Sequence, residues 1–259
     1  MKSECLRRVC AVALVSLFAA GVQADELKPK VEIAAANSEY PNRRGPELNR
    51  EMLTGEGAAA RVLTYDDSAA VDLCRQPGRR ELDAILPIAT DHGSFASGVV
   101  LDRDRVLTAA HAVQGADRFF VRVRGEYRRA RLVLVDHQWD LAVLRVGTGN
   151  IRPLPLAMGE PVAEQRVWAA GFPRASAMTM TEGVLQENLA GALHTSASID
   201  TGQSGGGLLS CANGEWQITG MLRGFGAYLE GDHYIKLENH SVSVSADQIQ
   251  RFLASSDAW

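Results

Sequence analysis

From residue 81 onward the chain reads as short apolar runs separated by turn-forming residues. The runs at 84–88, 98–101, 105–107, 119–123, 131–135 and 141–146 are rich in Val, Leu and Ile. A second series occupies 166–170, 179–186, 207–209, 216–222 and 234–244. Many short strands at close spacing predict an all-β sandwich or barrel. Only the end of the chain changes period. Ser245 followed by Gln248 at the third helical position fits a capping box, and Ile249, Phe252 and Leu253 then fall on one helical face. This predicts a closing helix over 246–253. No repeat at a period of 20–50 residues is visible, which excludes solenoids and propellers.

The pattern before residue 81 is different. Pro29, Pro41, Pro46, Gly45, Gly55 and Gly57 punctuate weak periodicity over 25–80, which predicts a partly irregular extension. Residues 1–24 carry Lys2, Arg7 and Arg8 ahead of a short apolar run, 9–22, that ends in Gln23-Ala24. That is the layout of a cleaved secretory signal, and the run is too short to span a bilayer comfortably. A periplasmic or secreted location is expected, with no membrane span left after cleavage.

Charge and cysteine content narrow the partners. The full chain has a net charge of −4, and removing the leader's three Lys/Arg and one Glu leaves 24 basic and 30 acidic residues, net −6. Nucleic acid is excluded as an expected partner by that balance. Cys5 and Cys10 leave with the leader, so Cys74 and Cys211 remain as an even pair in an oxidising compartment, where a disulfide is favoured over two buried thiols.

Three local motifs carry the chemistry. The first is Val-Leu-Thr-Ala-Ala-His, a strand running into a turn that ends in His111. The second is Trp-Asp-Leu-Ala-Val-Leu, with Asp140 at the start of an apolar strand. The third is Gly-Gln-Ser-Gly-Gly-Gly, with Ser204 inside a glycine-rich loop. A serine hydroxyl is a weak nucleophile near neutral pH and needs a base within hydrogen-bond reach. Histidine supplies one, and a buried carboxylate on its other nitrogen fixes the tautomer and stabilises the imidazolium. Glycines around Ser204 allow backbone N–H groups of Gly202 and Ser204 to approach a developing oxyanion. Each motif alone is weak; their order His, Asp, Ser with β-runs between them is the signal. His92, His137, His194, His233 and His240 show no metal-ligand spacing, and no Lys follows the glycines as a phosphate loop requires, so no metal or cofactor is expected.

The stretch from about 82 to 253 resembles the trypsin-like serine peptidases, in particular the compact bacterial branch that includes HtrA-type proteases. The resemblance rests on Thr-Ala-Ala-His at 108–111, Asp-Leu-Ala-Val-Leu at 140–144, Gly-x-Ser-Gly-Gly at 202–206, Ser97-Gly98 and the Gly171-Phe172-Pro173 turn. The short spacings, 29 positions from His111 to Asp140 and 64 from Asp140 to Ser204, are nearer to HtrA-type enzymes than to digestive ones. It implies two six-stranded antiparallel β-barrels, about 81–155 and 156–244, the closing helix and a tail at 254–259. His111 and Asp140 would sit in the first barrel and Ser204 in the second. Its implied activity is hydrolysis of protein or peptide substrates through an acyl-enzyme; the alternative is a binding or chaperone-like protein on the same scaffold with weak turnover.

Several positions depart from the pattern. Gln203 stands where Asp or Asn is usual, and Gly207 replaces a common proline. Gln203 cannot supply the charge that pairs with a new N-terminus in digestive zymogens, so the loop is expected to be ordered by local hydrogen bonds, by the extension or by substrate. With the chain ending at Trp259, a PDZ domain of the kind usual in HtrA-type proteins is not expected. The family pattern puts Ser198 and Ile199 at the base of the substrate pocket and Met221, Leu222, Arg223 and Gly224 in its wall. With no carboxylate at the trypsin position and Leu222 where glutamyl endopeptidases hold a histidine, the pocket is expected to accept small or medium apolar side chains.

Overall fold

The computed structural model describes residues 74–255 apart from 160, 231 and 232. The expected leader, almost all of the extension and the last four residues lie outside the described residues. A single turn of helix, α1 (Arg79–Leu82), precedes the sheets. Strands β1 (Ile85–Thr90), β2 (Phe95–Val100), β3 (Arg105–Ala109), β4 (Phe119–Val123), β5 (Glu126–Asp136) and β6 (Leu141–Arg145) close one barrel, with a turn of helix, α2 (Ala110–Val113), after β3. Strands β7 (Arg166–Gly171), β8 (Thr179–Leu189), β9 (Ala192–Thr195), β10 (Gly207–Ala212), β11 (Glu215–Glu230) and β12 (His233–Ser245) close the second. Every strand pair is antiparallel. The expected two six-stranded barrels are therefore present.

Period-two burial explains why these runs are strands. In β4, Phe119, Val121 and Val123 point inward while Phe120 and Arg122 are half-buried. Each barrel has its own core, the first around Ile88, Val106, Val121 and Leu144, the second around Val167, Leu185, Leu193 and Leu208. A third cluster joins the two barrels. Ile85, Val99, Leu107, Leu141 and Val143 pack with Trp168, Leu209, Ile218, Met221 and the helix residues Ile249 and Phe252. At about 25 cal/mol per Å² of apolar surface removed from water, this shared core holds the junction rigid.

The closing helix, α3 (Ala246–Ala254), docks through Ala246, Ile249 and Phe252 as expected. Its cap is only half of the expected box. Ser245 Oγ accepts the Gln248 N–H at 3.3 Å, but the Ser245 N–H donates to Gly191 O, so Gln248 has no donor to reach back to. Cys74 and Cys211 are joined by a disulfide, with Cα atoms 6.1 Å apart. It ties the end of the extension to β10, the strand that follows the Ser204 loop.

Candidate active site

His111, Asp140 and Ser204 come together at the barrel junction, each at the end of a strand. β3 runs Thr108 and Ala109 into α2, so His111 leaves the sheet in the first turn of helix. The adjacent strand β6 starts at Leu141, and Asp140 precedes it with φ +59, a left-handed conformation that Asp tolerates better than most residues. The turn is prepared by Asp136, whose Oδ1 accepts the N–H groups of Gln138 and Trp139. Asp140 is 3% exposed. Both of its oxygens meet His111: Oδ1 accepts the His111 N–H at 2.8 Å and Oδ2 lies 2.6 Å from Nδ1. The carboxylate so held leaves Nε2 as the free acceptor of the ring.

Ser204 is carried by the loop before β10. That loop rests on the first barrel through Ser97, which donates its N–H to Ser204 O at 2.9 Å and its hydroxyl to Gly202 O at 2.9 Å. The same hydroxyl accepts the Phe172 N–H at 2.8 Å. Contact is close enough to require glycine: a Cβ on Gly205, at φ +84, would fall 2.2 Å from Ser97 O and 2.4 Å from Thr108 Oγ1. Gln203 is buried, and its side chain closes the loop locally by accepting the Asp200 N–H at 2.7 Å. Local hydrogen bonding thus orders the loop around a neutral residue.

The backbone amides have a distinctive arrangement. Arg174 N–H donates to Thr201 O at 3.0 Å. Because a trans peptide sets its C=O and N–H in opposite directions, the Gly202 N–H faces away from that turn. Among the described residues the N–H groups of Gly202 and Ser204 donate to no acceptor.

Arg223 touches both ends of the constellation. Its carbonyl accepts Ser204 Oγ at 3.2 Å, and its Nε lies 3.5 Å from Asp140 Oδ2. No hydrogen bond joins Ser204 to His111 among the described residues. The Ser204 hydroxyl therefore rests on a backbone carbonyl.

The residues expected at the substrate pocket have different surroundings. Ile199 and Leu222 are 2% and 0% exposed and pack in the core of the second barrel with Val167 and Leu208. Their side chains lie within that core. Ser198 is surrounded by polar groups instead: its hydroxyl accepts the Asn239 N–H at 3.0 Å and donates to Glu238 Oε2 at 3.4 Å. Glu238 was not among the expected site residues, because it reaches Ser198 only through pairing of sequence-distant strands. Gly224 has open space beside it. On the adjacent strands the His194 and His240 rings lie against each other at a tilt of 49°, with centroids 5.3 Å apart. Burial, and then the charge of His240, push the His194 pKa below its ordinary 6.5, against a smaller opposing pull from Glu187. No group of three or more His, Cys, Asp or Glu among the described residues is arranged to hold a metal ion.

Paired antiparallel barrels with a His-Asp pair on one and a serine loop on the other define a double-barrel domain of the trypsin-like class. The family model described as a Trypsin-like peptidase domain matches residues 96–221 of this chain. Serine endoprotease DegS of Escherichia coli strain K12 is 34% identical over 130 residues, covering 45% of this chain and 37% of DegS. A probable periplasmic serine endoprotease, DegP-like, of Hahella chejuensis is 32% identical over 139 residues, 49% of this chain and 29% of that protein. The matched segments thus span well under half of these relatives. Among solved structures, the serine endoprotease from Yersinia pestis superposes with a TM-score of 0.60 at 24% identity, over 68% of this chain and 64% of that one. The active form of the Rv3671c protease from M. tuberculosis gives 0.59 at 23%, over 69% and 83%. At these identities the structural likeness speaks for the fold.

Proposed function

We propose that this chain is an exported serine endopeptidase in which Ser204 is the nucleophile, His111 the general base and Asp140 the group that orients it. The observation that carries the reading is the buried Asp140 carboxylate on Nδ1 of His111, beside the two undonated amides of Gly202 and Ser204. Ser204 Oγ rotates from the Arg223 carbonyl toward Nε2 and attacks the substrate carbonyl as its proton passes to the ring. Asp140 stabilises the imidazolium, and the two amides receive the oxyanion. Nε2–H then protonates the departing amine, and a water molecule hydrolyses the acyl-enzyme by the same route. The peptidase domain would span 81–253, behind a signal at 1–24 and an extension at 25–80. Its substrates would be proteins or peptides. The apolar residue over the 9–22 run and the periplasmic relative support export. Among the described residues no helix is long and apolar enough to cross a membrane.

A second reading, a partner-binding or chaperone-like protein with weak turnover, is favoured by one observation: the Ser204 hydroxyl is bonded to Arg223 O and not to His111. Hydrolysis of an unfolded protein substrate separates the two. Under the peptidase reading Ser204→Ala and His111→Ala abolish cleavage, and Asp140→Asn reduces it by about 10⁴ through the wrong tautomer. Equal slow cleavage by all four proteins would assign the hydrolysis to a contaminant and leave the binding reading.

A further inference from the structure

On the face formed by α1, the β4–β5 turn and the link between the barrels lies a cleft of about 970 Å³. Arg79, Arg80, Arg122, Arg124 and Arg152 all line it, and Asp83 is the one carboxylate among its described lining residues. This concentration is notable in a chain whose net charge is −4. None of the five guanidinium groups forms an ion pair with a carboxylate of the described residues. Arg124 bonds the neutral amide of Asn150, and Arg122 stands over the Phe172 ring, 5.7 Å from its centroid. Scattered exposed arginines need no partner, but five converging on one concave space make a field that a single-sign ligand would neutralise. Guanidinium groups match carboxylates bidentately, so the field is suited to acidic side chains.

Size and floor narrow the ligand. The space is far larger than one carboxylate or phosphate needs, and Leu82, Phe172 and Met178 give it apolar wall. A ligand carrying acids and an apolar side chain on one extended backbone meets both demands.

The cleft also adjoins the proposed oxyanion loop from behind. Phe172, in its wall, donates its N–H to the Ser97 hydroxyl that holds Gly202 O, and two residues on Arg174 fixes Thr201 O. A ligand that draws Arg122 or presses on Phe172 acts on the same turn that orients the Gly202 N–H. We propose that this cleft binds an acidic peptide segment bearing an apolar residue, and that its occupancy is coupled to the conformation of the 201–204 loop. Binding does not depend on the peptidase reading; an effect on rate rests on it.

The test uses the full chain as Ser204→Ala, which needs no turnover. A fluorescein-labelled peptide alternating Glu and Leu is titrated and followed by anisotropy, beside a Lys–Leu peptide and a single-stranded oligonucleotide. Arg80→Glu/Arg152→Glu, at two exposed positions, reverses charge without disturbing a core, and Arg122→Gln is the second variant. Saturable binding of the acidic peptide is expected, weakened at least tenfold in the double variant while its melting temperature stays unchanged. Amide exchange over 201–204 is expected to change on saturation. No binding, binding indifferent to both variants, or equal binding of the oligonucleotide would overturn the site. Binding without any change in exchange over 201–204 would overturn the coupling. If instead the peptide binds and shifts exchange but no variant of the chain ever hydrolyses a substrate, the peptidase reading fails and this one stands.

Discussion

Gly202→Ala tests whether the proposed oxyanion loop depends on backbone that only glycine supplies. Gly202 has φ +97, and a Cβ there would lie 2.5 Å from Arg174 N and 2.9 Å from Phe172 O. Both are backbone atoms, so no side chain can swing aside. Holding an L-residue at that φ costs about 1–2 kcal/mol, and overpacking against the turn adds about 1–3 kcal/mol. The total, about 2–5 kcal/mol, should lower the urea midpoint by about 1–2.5 M at a slope near 2 kcal/mol/M. The rate effect is separate. The turn must retreat by roughly 1 Å, and a misplacement of that size can cost about 10²-fold. It would also move the Gly202 N–H, a donor whose like is worth about 10²–10³ in rate. The assay pairs urea unfolding with the second-order rate of fluorophosphonate labelling. Gly224→Ala is the control, because nothing lies within 4 Å of its Cβ position and its φ is not positive; its midpoint should stay within about 0.5 kcal/mol of wild type. A Gly202→Ala protein with wild-type midpoint and labelling rate would refute the reasoning.

Arg223→Gln removes a positive charge 3.5 Å from the carboxylate that must stabilise the imidazolium, so labelling should accelerate by about 3–30-fold after discounting the Coulomb energy for solvent screening; an unchanged or slower rate contradicts that role. Cys74→Ser opens a closure spanning 137 positions, worth up to about 5 kcal/mol in the chain-entropy model, and should lower the melting temperature of exported protein by several degrees. An unchanged melting temperature would mean that the exported protein lacks the bridge. Because His194 has a folded pKa below its ordinary 6.5, the unfolded chain binds more protons there, and stability present above pH 6.5 is lost as pH falls toward the folded pKa. His194→Gln should flatten that acid limb of the urea midpoint; a limb of unchanged steepness assigns the loss to other groups.

Legibility in the sequence followed locality. His111, Asp140 and Ser204 were readable because each sits where a strand meets a turn, so motif and structure coincide within six residues. Strand β9 was not readable, since Ala192–Thr195 is four residues with a histidine inside and no apolar run. β5 extends five residues before its apolar stretch because Tyr127, Arg128 and Arg129 face solvent and break the alternation. β11 continues beyond the apolar run at 216–222, through Gly224 and Gly226, with register shifts at Leu222/Gly224 and Phe225/Ala227. Those bulges set where Arg223 lies on the strand, and so its reach to Asp140 had no local signal. Ile199, expected at the pocket base, and Leu222, expected in its wall, are both packed into the core by barrel closure. Ser97 was noticed as part of a motif, but its three bonds to Ser204, Gly202 and Phe172 exist only when the barrels meet.

The central claim is that Ser204, activated by His111, forms a covalent acyl-enzyme. Fluorophosphonate labelling of the purified protein followed by peptide mapping tests it most directly. Stoichiometric modification on Ser204, lost in His111→Ala although the serine remains, is the predicted result. No adduct on Ser204, or an adduct formed as fast without His111, would contradict the account.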